Sequence, residues 1–250
     1  MKINYILEGN SMGPVLILSN SLGAELTMWN DLMPYLTPSF RVLRYDTRGL
    51  GASEVTPGPY TITLLAEDVI RLMDSLDIKE AFFCGLSMGG LIGQYLGIHH
   101  GDRIKKLILS NTAASIGDVA RWNERIAVVL HSGLSILADE MMSRWFTSGF
   151  RDQRPDRVHE IKKAFMQCDP EGYCSNCAAV RDADFTMQLD RINVPTMIIT
   201  GDEDPVTTIE HATYLHQHIK GSALSVLKAK HLSPTELPKE YGAVLLGFLN

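Results

Sequence analysis

Three positions in this chain carry the side-chain types that acyl-transfer chemistry needs: Ser87, His231, and an acid within Asp202-Glu203-Asp204. A serine hydroxyl is a weak nucleophile at neutral pH. It needs a base within hydrogen-bond reach, and that base needs a third group to orient it. Ser87 lies in Gly85-Leu86-Ser87-Met88-Gly89, with Gly90 next. The apolar run Phe82-Phe83-Cys84 leads into it, and a helical pattern through Leu91, Ile92 and Leu96 leads out. Between a strand and a helix, G-x-S-x-G makes a turn that pushes the hydroxyl out of the sheet. The turn closes only if the flanking residues lack a Cβ. The helix start also aims unpaired N–H groups and a partial positive charge at any oxyanion formed beside Ser87.

Eight histidines compete to be the base. His99 and His100 end the helix after Ser87, where a cation suits the macrodipole. His211, His216 and His218 share one predicted helix, and His131 and His159 fall in a helical middle stretch. Only His231 sits in a loop directly after a late strand, on the edge of the sheet where Ser87 emerges. The orienting acid is expected between serine and histidine in sequence. We assign it to Asp204, because Asp202 and Glu203 complete the turn after Gly201 and Pro205 stops the chain behind it; Asp202 is the second choice. An earlier loop, Ser19-Asn20-Ser21-Leu22-Gly23, is small and ends in glycine, as a loop must if its backbone N–H is to approach a substrate.

The elements that would position these groups alternate. Strands are predicted at 3–7, 15–18, 41–45, 81–84, 106–110, 194–200 and 223–227. Helices are predicted at 29–36, at 61–76 with Thr61 or Thr63 as N-cap, at 209–219 and at 241–248. This order implies a mostly parallel sheet with helices on both faces. Arg48, close to Asp46 in sequence, is expected to pair with it and brace a loop. Between residues 113 and 190 strand-like runs stop, and helical patterns appear at 119–130, 134–145, 158–166 and 174–180. We read 1–112 and 191–250 as the core and 113–190 as an inserted helical cap over the active-site edge. Met141, Met142, Trp145 and Phe146 supply too much apolar surface for that insertion to be a solvated appendage.

At 250 residues and 45% hydrophobic, the chain fits one domain with an insertion. A net charge of −6 gives no basic footprint for nucleic acid. No apolar run has the length of a membrane span, and the start has no signal-peptide pattern, so a cytoplasmic protein is expected. Four cysteines are present. Cys174-Ser-Asn-Cys177 matches C-x-x-C, but no second pair or histidine follows at a zinc spacing, so two free thiols on one helix face are expected.

With these residues in place, the chain resembles the α/β-hydrolases of the 3-oxoadipate enol-lactonase type. The matching pieces are Leu18-Ser-Asn-Ser-Leu-Gly23, Met28-Trp29, Arg44-Tyr-Asp-Thr-Arg-Gly49, Cys84-Gly-Leu-Ser-Met-Gly-Gly90, Asn111-Thr-Ala113, Arg144-Trp-Phe-Thr147, Glu171-Gly-Tyr173 with Ser175-Asn176, and Gly201-x-x-Asp204. The elbow around Ser87 belongs to the whole superfamily; Ser-Asn-Ser-Leu-Gly and Arg-Trp-Phe-Thr are the narrower signatures. The resemblance implies Ser87 as nucleophile, His231 as base, Asp204 as acid, and the backbone N–H groups of Leu22 and Met88 as oxyanion donors. Leu50 departs from the family's usual histidine, and Pro234 from its usual non-proline residue; both lie outside the triad. The implied substrate is a small lactone carrying a carboxylate, with no metal and no organic cofactor. Arg144, beside Trp145 in the cap, is the candidate carboxylate partner, an internal salt bridge being its alternative. Rival readings are a general carboxylesterase or peroxidase-type relative and, more remotely, a ligand receptor on the same scaffold. A homo-oligomer is left open.

Overall fold

The apolar run Ala81–Leu86 is buried along its whole length because it is the middle strand of a seven-stranded sheet. The computed structural model describes every residue, 1–250. The strands are β1 (Tyr5–Gly9), β2 (Val15–Ser19), β3 (Arg41–Tyr45), β4 (Ala81–Leu86), β5 (Ile104–Ser110), β6 (Thr196–Gly201) and β7 (Ala223–Leu227), in spatial order β1-β3-β2-β4-β5-β6-β7. All neighbours run parallel except β1, which is antiparallel to β3 with Tyr5 opposite Tyr45.

Helices cover both faces, and β4 shows why. Successive strand residues point to opposite faces. Phe83 abuts Gly93 on one face, while the Cys84 thiol meets the Tyr241 hydroxyl at 3.4 Å on the other. The core helices before the insertion are α1 (Met33–Leu36), α2 (Ile62–Ser75) and α3 (Met88–His99), so Gly93 belongs to α3. Thr61, not Thr63, caps α2 by accepting from the Leu64 N–H at 3.1 Å. The predicted helix at 29–36 is instead a 3-10 turn, Leu26–Trp29, followed by the single turn of α1. Pro34 lacks the N–H that a longer helix would have used there.

Five helices lie between β5 and β6: α4 (Val119–Ser132), α5 (Ala138–Trp145), α6 (Ser148–Gln153), α7 (Pro155–Met166) and α8 (Pro170–Arg181). The pattern-based reading had no helix at α6, which is one short polar turn capped by Thr147. Met141, Met142, Trp145 and Phe146 are all buried, and they belong to the same continuous hydrophobic cluster as the sheet. Each fully buried apolar side chain of this size contributes about 1.5–3 kcal/mol, which fixes these helices on the core. The chain ends with α9 (Ile209–His218), α10 (Ser233–Glu236) and α11 (Pro238–Leu249), the last carrying Tyr241. Pro234 sits in the first turn of α10, where a missing N–H costs no helical bond. No helix is long and apolar enough to cross a membrane.

Strand registers keep the C-terminal ends level: Ser19 is opposite Gly85, Leu86 opposite Ser110, and Gly201 opposite Leu227. The loops that follow β2, β4, β5, β6 and β7 therefore meet along one edge. Ligands bind in open parallel sheets outside this edge.

Arg48 departs from its expected partner. Its Nε and Nη2 make a two-pronged contact with both carboxylate oxygens of Asp68 on α2, each 2.7 Å long. Asp46 is instead filled by donors from Asn4, Leu26 and Ala52. Asp68 is buried and Arg48 nearly so, with side chains 3% and 11% exposed. Removing one charge leaves the other uncompensated, which costs more than the pair contributes. We expect Asp68→Ala to lower unfolding stability by about 3–5 kcal/mol, read as a fall in the urea midpoint. A loss below about 1 kcal/mol, typical of an exposed pair, would show that this contact does not hold the loop.

Candidate active site

Ser87 occupies the turn between β4 and α3 with φ +58° and ψ −112°, a conformation that L-residues avoid. Its neighbours explain how it is held there. A Cβ on Gly85 would lie 2.0 Å from the Gly89 carbonyl oxygen, and one on Gly89 would lie 2.3 Å from that of Ser19. The turn is therefore pressed against both its own helix and the last residue of β2. Its backbone is fastened by the Ser87 N–H donating to Ser110 O at 2.9 Å and by the Thr112 hydroxyl donating to Ser87 O at 2.8 Å.

The loop after β2 is pinned by Asn20. Its side-chain amide donates to Tyr45 O, its side-chain oxygen accepts from the Trp29 indole, both at 2.8 Å, and its carbonyl accepts from the Gly89 N–H at 3.1 Å. This gives the Ser-Asn-Ser-Leu-Gly signature a physical role. Helix start and loop are clamped together at Asn20 and Gly89. The backbone N–H groups of Leu22 and Met88, flanking this clamp, donate to no acceptor in the protein. Leu22 lines the cavity with Ser87, and Met88 directly follows Ser87 in the chain, so two N–H groups without acceptors flank the serine and have the makings of an oxyanion site.

Asp204 and His231 follow β6 and β7. The His231 Nδ1 lies 2.8 Å from Asp204 Oδ2, and both residues are buried. Asp202 and Glu203 are exposed, and of the three acids Asp204 is the one hydrogen-bonded to His231. The Asp204 carboxylate also accepts from the Val206 and Thr207 N–H groups, the Thr207 hydroxyl and the Asn111 amide. Burial opposes its ionisation, but the His231 charge, with hydrogen bonds from His231, Asn111 and Val206, outweighs it and holds the carboxyl at about 2. An ionised Asp204 fixes the imidazole so that Nε2 is the free nitrogen. Ser87 and His231 line the same cavity without a direct hydrogen bond between Oγ and Nε2. Catalytic hydrogen bonds are often long in the absence of substrate and close only in the complex.

Three residues around this site were not read as functional from sequence. Asn111, at φ +42° after β5, donates to Asp204 Oδ2 at 2.9 Å and to Lys230 O at 3.2 Å. Its signal was a polar cluster, Ser110-Asn111-Thr112, closing an apolar strand beside the elbow strand. Glu236 accepts from the Thr147 hydroxyl and N–H and from the Lys230 N–H. With Lys230 Nζ donating to Ser143 O at 2.8 Å and the Leu232 N–H to Trp145 O at 3.1 Å, it sews the His231 loop to the end of α5. That gives Arg-Trp-Phe-Thr a structural meaning. Arg125, the third, lines the cavity from α4.

The cavity encloses about 620 Å³ between the sheet edge and the inserted helices. Ser87, His231, Leu22, Arg144 and Trp145 all line it. Trp145 forms an apolar wall, held edge-on against Phe165 at 5.6 Å between ring centroids. Arg144 reaches the cavity, but its Nη2 is 2.9 Å from Glu140 one turn earlier on α5, in a half-exposed pair. Cys174 and Cys177 are free, buried thiols on α8. Leu50 is buried in the loop after β3, away from the cavity lining.

Comparison with known proteins agrees with this geometry. The profile of the α/β hydrolase fold family matches residues 14–131. The chain is 44% identical to 3-oxoadipate enol-lactonase 2 of Acinetobacter baylyi over 96% of its length and 90% of that protein's. It is 36% identical to 3-oxoadipate enol-lactonase 1 of the same organism, over 97% and 91%. The crystal structure of the enol-lactonase from Burkholderia xenovorans LB400 superposes with a TM-score of 0.97 at 41% identity, covering 99% of this chain and 96% of that one. With likeness sustained from end to end in both sequence and fold, the chain belongs to the 3-oxoadipate enol-lactonase family of α/β hydrolases.

Proposed function

We propose that this protein is a serine hydrolase that opens 3-oxoadipate enol-lactone to 3-oxoadipate through an acyl-enzyme. The observation that carries this reading is one cavity lined by Ser87, the Asp204-bound His231 and Leu22, whose N–H has no acceptor, in a chain 44% identical to a 3-oxoadipate enol-lactonase. Ser87 Oγ attacks the lactone carbonyl carbon while His231 Nε2 takes its proton. Asp204 stabilises the imidazolium without accepting the proton itself. The oxyanion rests on the N–H groups of Leu22 and Met88, each worth about 2.7–4 kcal/mol of barrier in comparable sites. Collapse breaks the acyl–oxygen bond, and His231 returns its proton to the departing ring oxygen, which leaves as an enol and tautomerises to the ketone. Water, deprotonated by His231, then attacks the acyl carbon and frees Ser87. Trp145 walls the lactone ring, and an arginine of the inserted helices receives the free carboxylate. No cofactor takes part. A cytoplasmic location is supported by the four buried, unpaired thiols.

The residues 113–190 act in this scheme as a cap that also sets the base. Because Glu236, Lys230 and Leu232 tie the His231 loop to the segment after Ser143, a shift of α5 moves the imidazole. A displacement of about 1 Å at a catalytic group can cost about 10²-fold in rate.

Three measurements test the scheme. Ser87→Ala should lower kcat on the enol-lactone by about 10⁶-fold with folding intact; a well-folded variant turning over at near wild-type rate removes Ser87 from the role of nucleophile. The His231 charge and its hydrogen bonds hold Asp204 down at about 2, so it stays ionised throughout the working pH range. The acid limb of kcat/KM should therefore fall with a slope of one, and a slope of two would contradict an Asp204 that is charged throughout. The same depressed carboxylate stabilises the fold above an unfolded aspartate's value of ~3.9, and this support is lost as pH falls through about 2. Glu236→Ala should lower kcat by about 10-fold or more, and Glu236→Gln, which retains one acceptor, should recover part of it. A folded Glu236→Ala enzyme with unaltered kcat would break the proposed link between cap and base.

A further inference from the structure

We infer that Arg125, braced by the Trp122 ring, is the residue that receives the substrate's free carboxylate, and that Arg144 is not. This rests on the reading that the substrate is an acidic lactone. Three guanidinium groups line the cavity, those of Arg121, Arg125 and Arg144. Two of them are already neutralised on their own helices: Arg121 Nε is 3.2 Å from Asp118, and Arg144 Nη2 is 2.9 Å from Glu140. The Arg121 side chain is also 85% exposed, so a carboxylate there would compete with water. Arg125 forms no ion pair with any carboxylate of the protein, and the polar side chain that faces it is Tyr173. It is half-buried.

Its surroundings hold it in place for an anion. The guanidinium lies 5.1 Å from the centroid of the Trp122 ring, and that indole is fixed by donating to Ile116 O at 2.6 Å. On its inner side are Tyr173 and Cys177 of α8. Burial pushes both groups up, Cys177 to about 12, and the Arg125 charge works against that rise in each, as it must if the guanidinium points inward. Of the fully buried tyrosines, Tyr45, Tyr60 and Tyr241 each have a close hydroxyl partner, whereas the Tyr173 hydroxyl has none at ordinary hydrogen-bond distance and faces only the Arg125 guanidinium. Tyr173 stands directly over the loop carrying Leu22: a Cβ on Gly23 would lie 3.0 Å from its ring. A guanidinium without a carboxylate and a buried hydroxyl thus face one another on the cap side of the loop carrying Leu22. Glu124, the next residue along α4, also reaches the cavity but is exposed and faces another way around the helix.

A half-buried cation without a carboxylate partner is costly, and a carboxylate relieves it through two parallel N–H···O bonds. The planar fork favours a carboxylate over a neutral ester, which offers a weaker acceptor and no charge. Arg125 would then set which lactones are turned over, while Ser87 and the oxyanion donors treat any lactone carbonyl alike.

The test compares the enol-lactone with its methyl ester on the full-length enzyme. In Arg125→Met the ratio of kcat/KM for acid over ester should fall by about 30-fold, the loss expected for a charge-assisted two-pronged contact, mostly through KM for the acid. Arg125→Lys should recover part of the ratio, because charge remains while the fork is lost. In Arg144→Met the ratio should move by less than about threefold, the size of an exposed ion pair. An unaltered ratio in Arg125→Met, or a larger change in Arg144→Met, would overturn the assignment. Arg125→Gln repeats the measurement should the methionine variant melt early. An independent arm titrates adipate and monomethyl adipate into Ser87→Ala enzyme by calorimetry, with and without Arg125→Met. Loss of the preference for adipate supports Arg125, and retention overturns it. If the wild type opens neither lactone, the reading of the activity fails on its own, and the adipate titration still decides the role of Arg125.

Discussion

A serine forced to φ +58° between a strand and a helix is the constraint on which the rest of the molecule depends. Nothing intrinsic to serine favours that conformation. It persists because α3 approaches β4 and the loop after β2 so closely that Gly85 and Gly89 have no room for a Cβ. The same contact brings the Asn20 carbonyl onto the Gly89 N–H and leaves the neighbouring N–H groups of Leu22 and Met88 without acceptors. The strained Ser87 backbone and the two N–H groups without acceptors are thus two results of one packing geometry. The stability that permits it comes from the fully buried central strands, not from the turn.

The second half of the site arrives from the far side of the sheet by a different device. Asp204 is taken out of water, which disfavours its charge, and five hydrogen-bond donors restore it. Unpaired, a buried carboxylate would take up a proton; satisfied in this way, it stays charged and fixes an imidazole. Asn111 joins the two halves, since it follows β5, beside the elbow strand, and bonds both Asp204 and the backbone of Lys230. The inserted helices close the arrangement, because the His231 loop is bonded to the end of α5 by both backbone and side chains. In this architecture the end of α5 and the loop carrying His231 form one bonded unit.

Much of this was legible in the sequence, and what was not shares a cause. The period-2 and period-3.6 patterns located the sheet and most helices, since burial on known faces leaves a strong mark. Ser87, Asp204 and His231 could be chosen because each follows a strand and only strand ends converge. The antiparallel direction of β1, the Asp68 partner of Arg48 and the Glu236 stitch all depend on contacts across long sequence separations, with no local periodicity to show them. Arg48 illustrates the error well: nearness in sequence suggested Asp46, but that carboxylate was needed by three other donors. Arg144 is the opposite case, for its partner Glu140 lies four residues earlier, a spacing at which helical side chains meet.

The most direct measurement of the central claim asks which atom of the folded protein is a nucleophile. Treatment with a fluorophosphonate, followed by digestion and mass spectrometry, should give a single adduct on the peptide carrying Ser87, formed far more slowly when His231 is replaced by alanine. A folded protein that takes no label, or takes it elsewhere, would contradict the account.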